Sequence, residues 1–226
     1  MDMDYQTFFT RFAGSARTKN IGMVSTGSKR PFTLPTSSEL PREFFRLCPW
    51  EMEYLFTIAG HVRKGIVETG RFNGGSCFVM ACAAPDVPIH SIDLAPQDDA
   101  LLKDLFARTG VGQNVDLIVG DSQKTKYPQI GEVDLLFVDG DHSYAGCTND
   151  MANWYDGLAP NGHILVHDCY AGRAGPGDGG SDVQAAVADF LSQHPELQVI
   201  QSPFIGPFYW NYPAGSIAHL IKRARG

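Results

Sequence analysis

"IVETGRFNGGSCF", residues 66–78, is an apolar run that turns through glycines into a helix-forming stretch. Ile66–Thr69 reads as a short buried strand, and Gly70, Gly74 and Gly75 mark the tight turn after it. Strand, glycine turn and helix in that order open a nucleotide-binding fold. The spacing is not the dinucleotide fingerprint G-x-G-x-x-G, because Phe72 stands where the second glycine belongs. A carboxylate, Glu68, precedes the first glycine by two residues. A helix N-terminus favours an anion, but Glu68 would repel a pyrophosphate. A zwitterionic amino acid with an extra cationic centre suits both features.

Outward from this stretch, apolar runs and helical stretches alternate. Further strands are expected at Ile89–Leu94, Val115–Val119, Val133–Val138 and His163–His167, with helices at Gly75–Ala84, Asp98–Thr109 and Ala145–Gly157. The connection from Val119 to Val133 reads mostly as loop. Residues 182–194 read as another helix, with Ser181 as its N-cap, and two strands close the chain within 197–202 and 216–223. Runs that are apolar on both faces and joined by crossovers imply a parallel sheet covered by helices. The pattern predicts an α/β, Rossmann-like fold: a mostly parallel seven-stranded sheet, helices on both faces and an antiparallel C-terminal strand. Ahead of the sheet, 48–63 reads as a helix with Pro49 in its first turn. Residues 22–42, rich in Gly, Ser, Thr and Pro, read as an irregular arm, and 1–20 as a short helix.

Composition narrows the function. The formal net charge is −7 and no basic face is evident, which argues against nucleic acid. No apolar run approaches the roughly 20 residues needed to cross a bilayer, so no membrane partner is expected. The N-terminus is acidic and unlike a secretory signal. Five cysteines without C-x-x-C spacing suit reduced thiols in the cytoplasm. Nothing sets the oligomeric state, and a homo-oligomer stays open.

Ligands of such sheets sit beyond the carboxyl ends of the strands. Those ends carry Glu68-Thr69-Gly70, Asp93, Asp121-Ser122, Asp139-Gly140-Asp141-His142 and His167-Asp168. One aspartate after a strand is usually a turn former or helix cap; five acidic strand ends together suggest a site. Asp93 is placed to accept from ribose hydroxyls, and Asp121-Ser122 to meet an adenine edge. With the zwitterion at the first loop, these describe S-adenosylmethionine.

"VETGRFNGGS" resembles motif I of class I S-adenosylmethionine-dependent methyltransferases, with the E-x-G-x-x-x-G-x-S spacing of the catechol O-methyltransferase group. "LIVGDSQ" (117–123) is similar to that group's adenine-binding motif. "LLFVDGDHSY" (135–144) and "LAPNGHILVHD" (158–168) resemble the later motifs of small bacterial O-methyltransferases related to macrolide-sugar methyltransferases and cephalosporin hydroxylase. The resemblance covers roughly residues 48–222. It implies a methyltransferase domain over 48–226, preceded by an arm or helical extension at 1–47. It also implies that Glu68, Gly70, Phe72 and Ser76 surround the methionine part, that Asp93 holds the ribose, and that Asp121 and Ser122 border the adenine, with Asp139 also near the cofactor.

The same resemblance implies a divalent metal, Mg²⁺ or Mn²⁺, held by Asp139, His167 and Asp168. His167 stands where a carboxylate is usual, and an imidazole shifts preference away from Mg²⁺. His142, three residues past Asp139, is the implied general base, with Asp139 beside it in the catalytic set. The expected reaction is methyl transfer to a small hydroxylated acceptor. Two alternatives stay open: a non-methylating S-adenosylmethionine-binding protein and a metal-dependent hydrolase. The glycine-rich stretch 171–180 and the aromatic stretch 203–213 are candidate borders of the acceptor site.

Overall fold

Period-two alternation in the strands supplies apolar side chains to both faces of one sheet, and the helices cover both. This computed structural model describes residues 44–47, 49–169, 180–201, 206–209, 212–214 and 217–224. Helix α1 (Pro49–Ala59) precedes β1 (Ile66–Thr69), α2 (Gly75–Ala83), β2 (Ile89–Asp93), α3 (Asp99–Thr109), β3 (Val115–Val119), β4 (Val133–Val138), α4 (Tyr144–Tyr155) and β5 (Leu158–Val166). Helix α5 (Gly180–Gln193), β6 (Leu197–Gln201), β7 (Gly206–Tyr209), β8 (Tyr212–Ala214) and β9 (Ala218–Lys222) follow.

The seven-stranded sheet has the order β3-β2-β1-β4-β5-β9-β6. Strands β1 to β5 pair in parallel, and β9 runs antiparallel to both of its neighbours. Alternation in β4 sorts the core: Leu135 and Phe137 pack with α1, α2 and α3, while Leu136 and Val138 pack with α4 and α5. The same alternation in β1 sends Ile66 to the first core and Val67 to the second. Phe44, Phe45 and Leu47, assigned by the sequence to the arm, are buried in the first core.

Two expectations need correction. Strand β5 begins at Leu158, five residues before the expected His163, because Leu158 already pairs with Val133. The register then jumps so that Leu135 faces His163, and Asn161 takes a left-handed φ of 63° in the bulge. Helix α5 starts at Gly180, which puts Ser181 inside the first turn rather than ahead of it. The expected 1–20 helix, the 22–42 arm, most of the 171–180 stretch and Trp210-Asn211 lie outside the described residues. The backbone on either side of Trp210-Asn211 forms a separate two-stranded sheet, β7 with β8.

Candidate active site

The turn after β1 sits against the end of β4. Gly70 has φ 85°, and a Cβ there would lie 2.1 Å from the Asp139 carbonyl oxygen. Only glycine fits both the left-handed backbone and that approach. Its N–H donates to the Ile92 carbonyl at 2.9 Å, and the Asp139 N–H donates to the Thr69 carbonyl at 2.9 Å. These bonds bring the ends of β1, β2 and β4 to one rim.

Glu68 does not reach the cavity above this rim. It is fully buried beneath the turn, accepting from the Ser76 hydroxyl at 2.5 Å and from the Ser91 hydroxyl. Burial pushes its carboxyl up to about 7, against the opposing pull of Ser76, Ser91 and the Arg71 charge. Arg71, only 2% exposed, grips Asp99 at the start of α3 with two parallel bonds of 2.8 and 3.0 Å. Its remaining nitrogen donates to the Ser91 carbonyl and, at 3.3 Å, to the Ile118 carbonyl. Arg71 thereby ties the glycine turn to β2, β3 and α3.

Asp93, at the end of β2, is half-buried. It accepts from the Phe72 N–H at 2.7 Å and from the Ala95 N–H at 2.7 Å, one on each oxygen. Phe72 itself has a left-handed φ of 49° and presents a partly exposed ring to the cavity, with the Arg46 guanidinium 5.5 Å above it. Past β3, Asp121 pairs with Lys124 at 2.9 Å, which with the Gln123 N–H holds its carboxyl below the ordinary range. The Ser122 hydroxyl turns inward and donates to Asp150 at 2.7 Å. Asp150, fully buried on α4, also accepts from the Thr69 hydroxyl at 3.1 Å, and burial raises its carboxyl to about 6.

The ends of β4 and β5 converge on a cluster. Donor atoms of Asp139, His142, His167 and Asp168 all lie within 4.8 Å of one another. His167 Nδ1 is 2.8 Å from Asp139 Oδ1 and 3.6 Å from Asp168 Oδ2. His142 places Nε2 3.4 Å from Asp139 and Nδ1 3.4 Å from Asp168. Burial would raise the Asp139 carboxyl, but the His167 charge and the two imidazole contacts hold it below the ordinary range. Burial would lower His167, yet the carboxylates of Asp139, Glu51 and Asp168 carry it well above the ordinary value. The Asp139 hydrogen bond raises His142 in spite of burial. Asp168 has φ 54°, a strained backbone that aims its carboxylate back toward both imidazoles.

A cavity of about 840 Å³ joins these parts. Gly70, Phe72, Ser76, Asp93, Asp121, Ser122, Asp139, His142, His167 and Asp168 all line it. Of the site residues expected from sequence, Glu68 alone is absent from its wall. Three contributors were missed. Arg71 is a charge inside a glycine turn, a signal in plain view. Asp150 shares the α4 face of Cys147, Met151 and Trp154, and Glu51 shares an α1 stripe with Leu55. An acid at an apolar helix position is the sign that could have exposed both.

Residues 67–169 match a family model described as a methyltransferase domain. That stretch runs from β1 to just past β5 and includes the glycine turn. An uncharacterized protein of Acanthamoeba polyphaga mimivirus is 31% identical over 110 residues, 45% of this chain and 50% of that protein. The match therefore spans half of that relative's length. Among solved structures, the cofactor-bound Rv0187 from MTB aligns with TM-score 0.67 at 20% identity, covering 84% of this chain and 86% of that one. The O-methyltransferase TomG from Streptomyces achromogenes, involved in tomaymycin synthesis and solved with S-adenosylmethionine, aligns with TM-score 0.64 at 15% identity. It covers 99% of this chain and 100% of TomG. At such identities the likeness speaks for the fold.

The four-residue cluster suits a divalent ion by its chemistry. The carboxylates of Asp139 and Asp168 and the imidazole of His167 converge there beside His142, a donor set matched to Mn²⁺, Fe²⁺ or Zn²⁺ better than to Mg²⁺. The far nitrogen of His167, Nε2, is buried beside Glu51 and makes no aligned hydrogen bond. No helix among the described residues is long and apolar enough to cross a membrane.

Proposed function

We propose that this chain transfers a methyl group from S-adenosylmethionine to a hydroxyl oxygen of a small acceptor, with a divalent ion held beside that oxygen. The observation that carries this reading is the meeting of the glycine turn and Asp93 with the Asp139–His142–His167–Asp168 cluster on one cavity wall. Gly70, Phe72 and Ser76 would border the methionine part, and Glu68 would act on it from behind, through Ser76. An ionised carboxylate has about four acceptor positions. Asp93 uses one on each oxygen for Phe72 and Ala95, which leaves two for ribose hydroxyls. Asp121 and Ser122 would border the adenine.

Asp139, His167 and Asp168 would hold the ion, with Asp139 also facing the cofactor. When bound, the ion supplies a Lewis acid that lowers the pKa of an acceptor hydroxyl. His142, at 38% the most exposed side chain of the cluster, takes the acceptor proton as general base. Asp139 and Asp168 face the two ring nitrogens of His142 and stabilise the imidazolium that forms.

The experiment is calorimetric titration with S-adenosylmethionine, followed by methyl-transfer assays against a panel of hydroxylated small molecules with and without chelator. Binding, transfer to oxygen, loss of transfer in chelator and recovery with Mn²⁺ or Mg²⁺ are expected. Absence of cofactor binding would reject the reading outright. Binding without transfer to any acceptor would favour a non-methylating role, and full activity in chelator would remove the ion.

A further inference from the structure

We propose that Asp150 is a positioning residue that lets Ser122 recognise the amino group of an adenine: it takes the Ser122 hydroxyl hydrogen from beneath, and leaves toward the cavity an oxygen that accepts and cannot donate. This rests on the placement of the adenine beside Asp121 and Ser122 given above, and adds what that wall discriminates.

The turn after β3 is clasped by one face of α4. Asp150, Asn153 and Trp154 stand at i, i+3 and i+4, a spacing that a helix brings to one side. All three hold Ser122. Asp150 Oδ1 accepts from its hydroxyl at 2.7 Å, while Asn153 Nδ2 and Trp154 Nε1 donate to its carbonyl at 2.8 and 3.1 Å. Asn153 also donates to the Thr125 carbonyl at 3.1 Å, which ties down the far side of the turn. Backbone and side chain of Ser122 are thus fixed from one helix. Asp150 is itself held: it is fully buried, and its second oxygen accepts from the Thr69 hydroxyl at 3.1 Å.

A hydroxyl has one hydrogen and two lone pairs. A buried carboxylate short of donors is costly, so withdrawing the Ser122 hydrogen from Asp150 is unfavourable. With that hydrogen turned inward, Ser122 lines the cavity as an acceptor. Adenine carries an amino group at its 6-position, a donor. Hypoxanthine carries an oxygen there, an acceptor. The first complements the Ser122 oxygen and the second opposes it. A hydroxyl free to turn would donate to the one and accept from the other, and would separate them poorly. The discrimination therefore comes from Asp150, one layer beneath the residue that faces the ligand.

The test is calorimetric titration of the full chain with S-adenosylhomocysteine and with S-inosylhomocysteine, its 6-oxo counterpart. At about pH 8 Asp150, whose carboxyl burial raises to about 6, is ionised and can only accept. Wild type binds the adenine form roughly 10- to 100-fold more tightly. Ser122→Ala weakens the adenine form about tenfold and leaves the 6-oxo form unchanged or tighter. Asp150→Asn offers Ser122 an amide donor that turns the hydroxyl outward, and lowers the preference about tenfold. A purely structural role for Asp150 would weaken both forms alike. Equal binding of the two forms by wild type, or an unchanged preference in either folded variant, overturns this proposal and leaves the cofactor reading standing. Ser122→Ala decides the matter even if Asp150→Asn fails to fold, because a freely turning hydroxyl would support both forms. Wild type that binds neither form overturns both.

Discussion

Glu68→Gln separates a buried carboxyl from a cavity one. The Glu68 carboxyl sits near pKa 7 in the folded chain against an ordinary value of 4.5, because it is fully enclosed beneath the glycine turn. The unfolded chain releases this proton near 4.5 and the folded chain near 7, so between them the folded state binds more protons. Stability then falls as pH rises. At about 1.4 kcal/mol per pH unit, the gap costs the wild type about 3 kcal/mol once pH exceeds 7. Glutamine has the same shape, keeps partners for the Ser76 and Ser91 hydroxyls, and cannot ionise. The stability of Glu68→Gln relative to wild type should be level below pH 4.5, climb between 4.5 and 7, and level off about 3 kcal/mol higher. For a chain of this size that corresponds to about 6–12 °C in Tm. Asp150, raised to about 6, titrates in the same window, but it cancels when the variant is subtracted from wild type. The assay is a urea melt of both proteins at pH values spanning the window. A difference that stays flat across it would show that the Glu68 carboxyl is ionised and reached by solvent, and would refute the sealed-carboxyl argument.

His142→Ala should lower kcat by roughly 10²–10⁴ with cofactor affinity unchanged, and should lose the limb of the pH profile on which rate rises with pH; near-normal turnover in a destabilised protein would reduce His142 to a support for Asp139. Asp93→Ala removes the acceptor of two backbone N–H groups as well as the proposed ribose contact. It should weaken S-adenosylmethionine binding about 10- to 100-fold by calorimetry, and unchanged affinity in a folded variant would displace the ribose from Asp93. Gly70→Ala meets the Asp139 carbonyl at 2.1 Å in a left-handed backbone, so the thermal midpoint should drop and cofactor binding should disappear. Retention of both would mean that the turn relaxes freely.

The fold was legible because the core strands are short, apolar on both faces and punctuated by Gly, Asp and Pro. Ile66–Thr69, Val115–Val119 and Val133–Val138 match their expected bounds for that reason. The start of β5 was not legible, since "LAPNG" carries turn residues yet pairs through a bulge, and pairing depends on a partner 25 residues away. The rim was legible because parallel strands all end on one side, which turns strand-end residues into neighbours without further information. What the sequence hid was depth. Glu68 and Thr69 are adjacent, but alternation sends Glu68 to the face of α2, where Ser76 meets it, and Thr69 to the face of α4, where Asp150 meets it. Neither partner follows from spacing alone.

Depth also explains how the rim is held. Each of two cavity-lining hydroxyls is backed by a buried acid: Ser76 by Glu68 at 2.5 Å and Ser122 by Asp150 at 2.7 Å. The acids come from β1 and α4, so two separate elements converge beneath one cavity. A hydroxyl whose proton is already committed inward has a fixed rotamer and turns its acceptor face outward. In a low-dielectric setting such networks are stiff when fully satisfied. They need little reorganisation as charge shifts above them. An outward-facing set of acceptors is matched to a ligand whose reacting centre is a cation, and mismatched to a pyrophosphate. On the proposed reading, a glycine turn with Glu68 beneath it suits a sulfonium-bearing amino acid better than a dinucleotide, although both use the same strand, turn and helix.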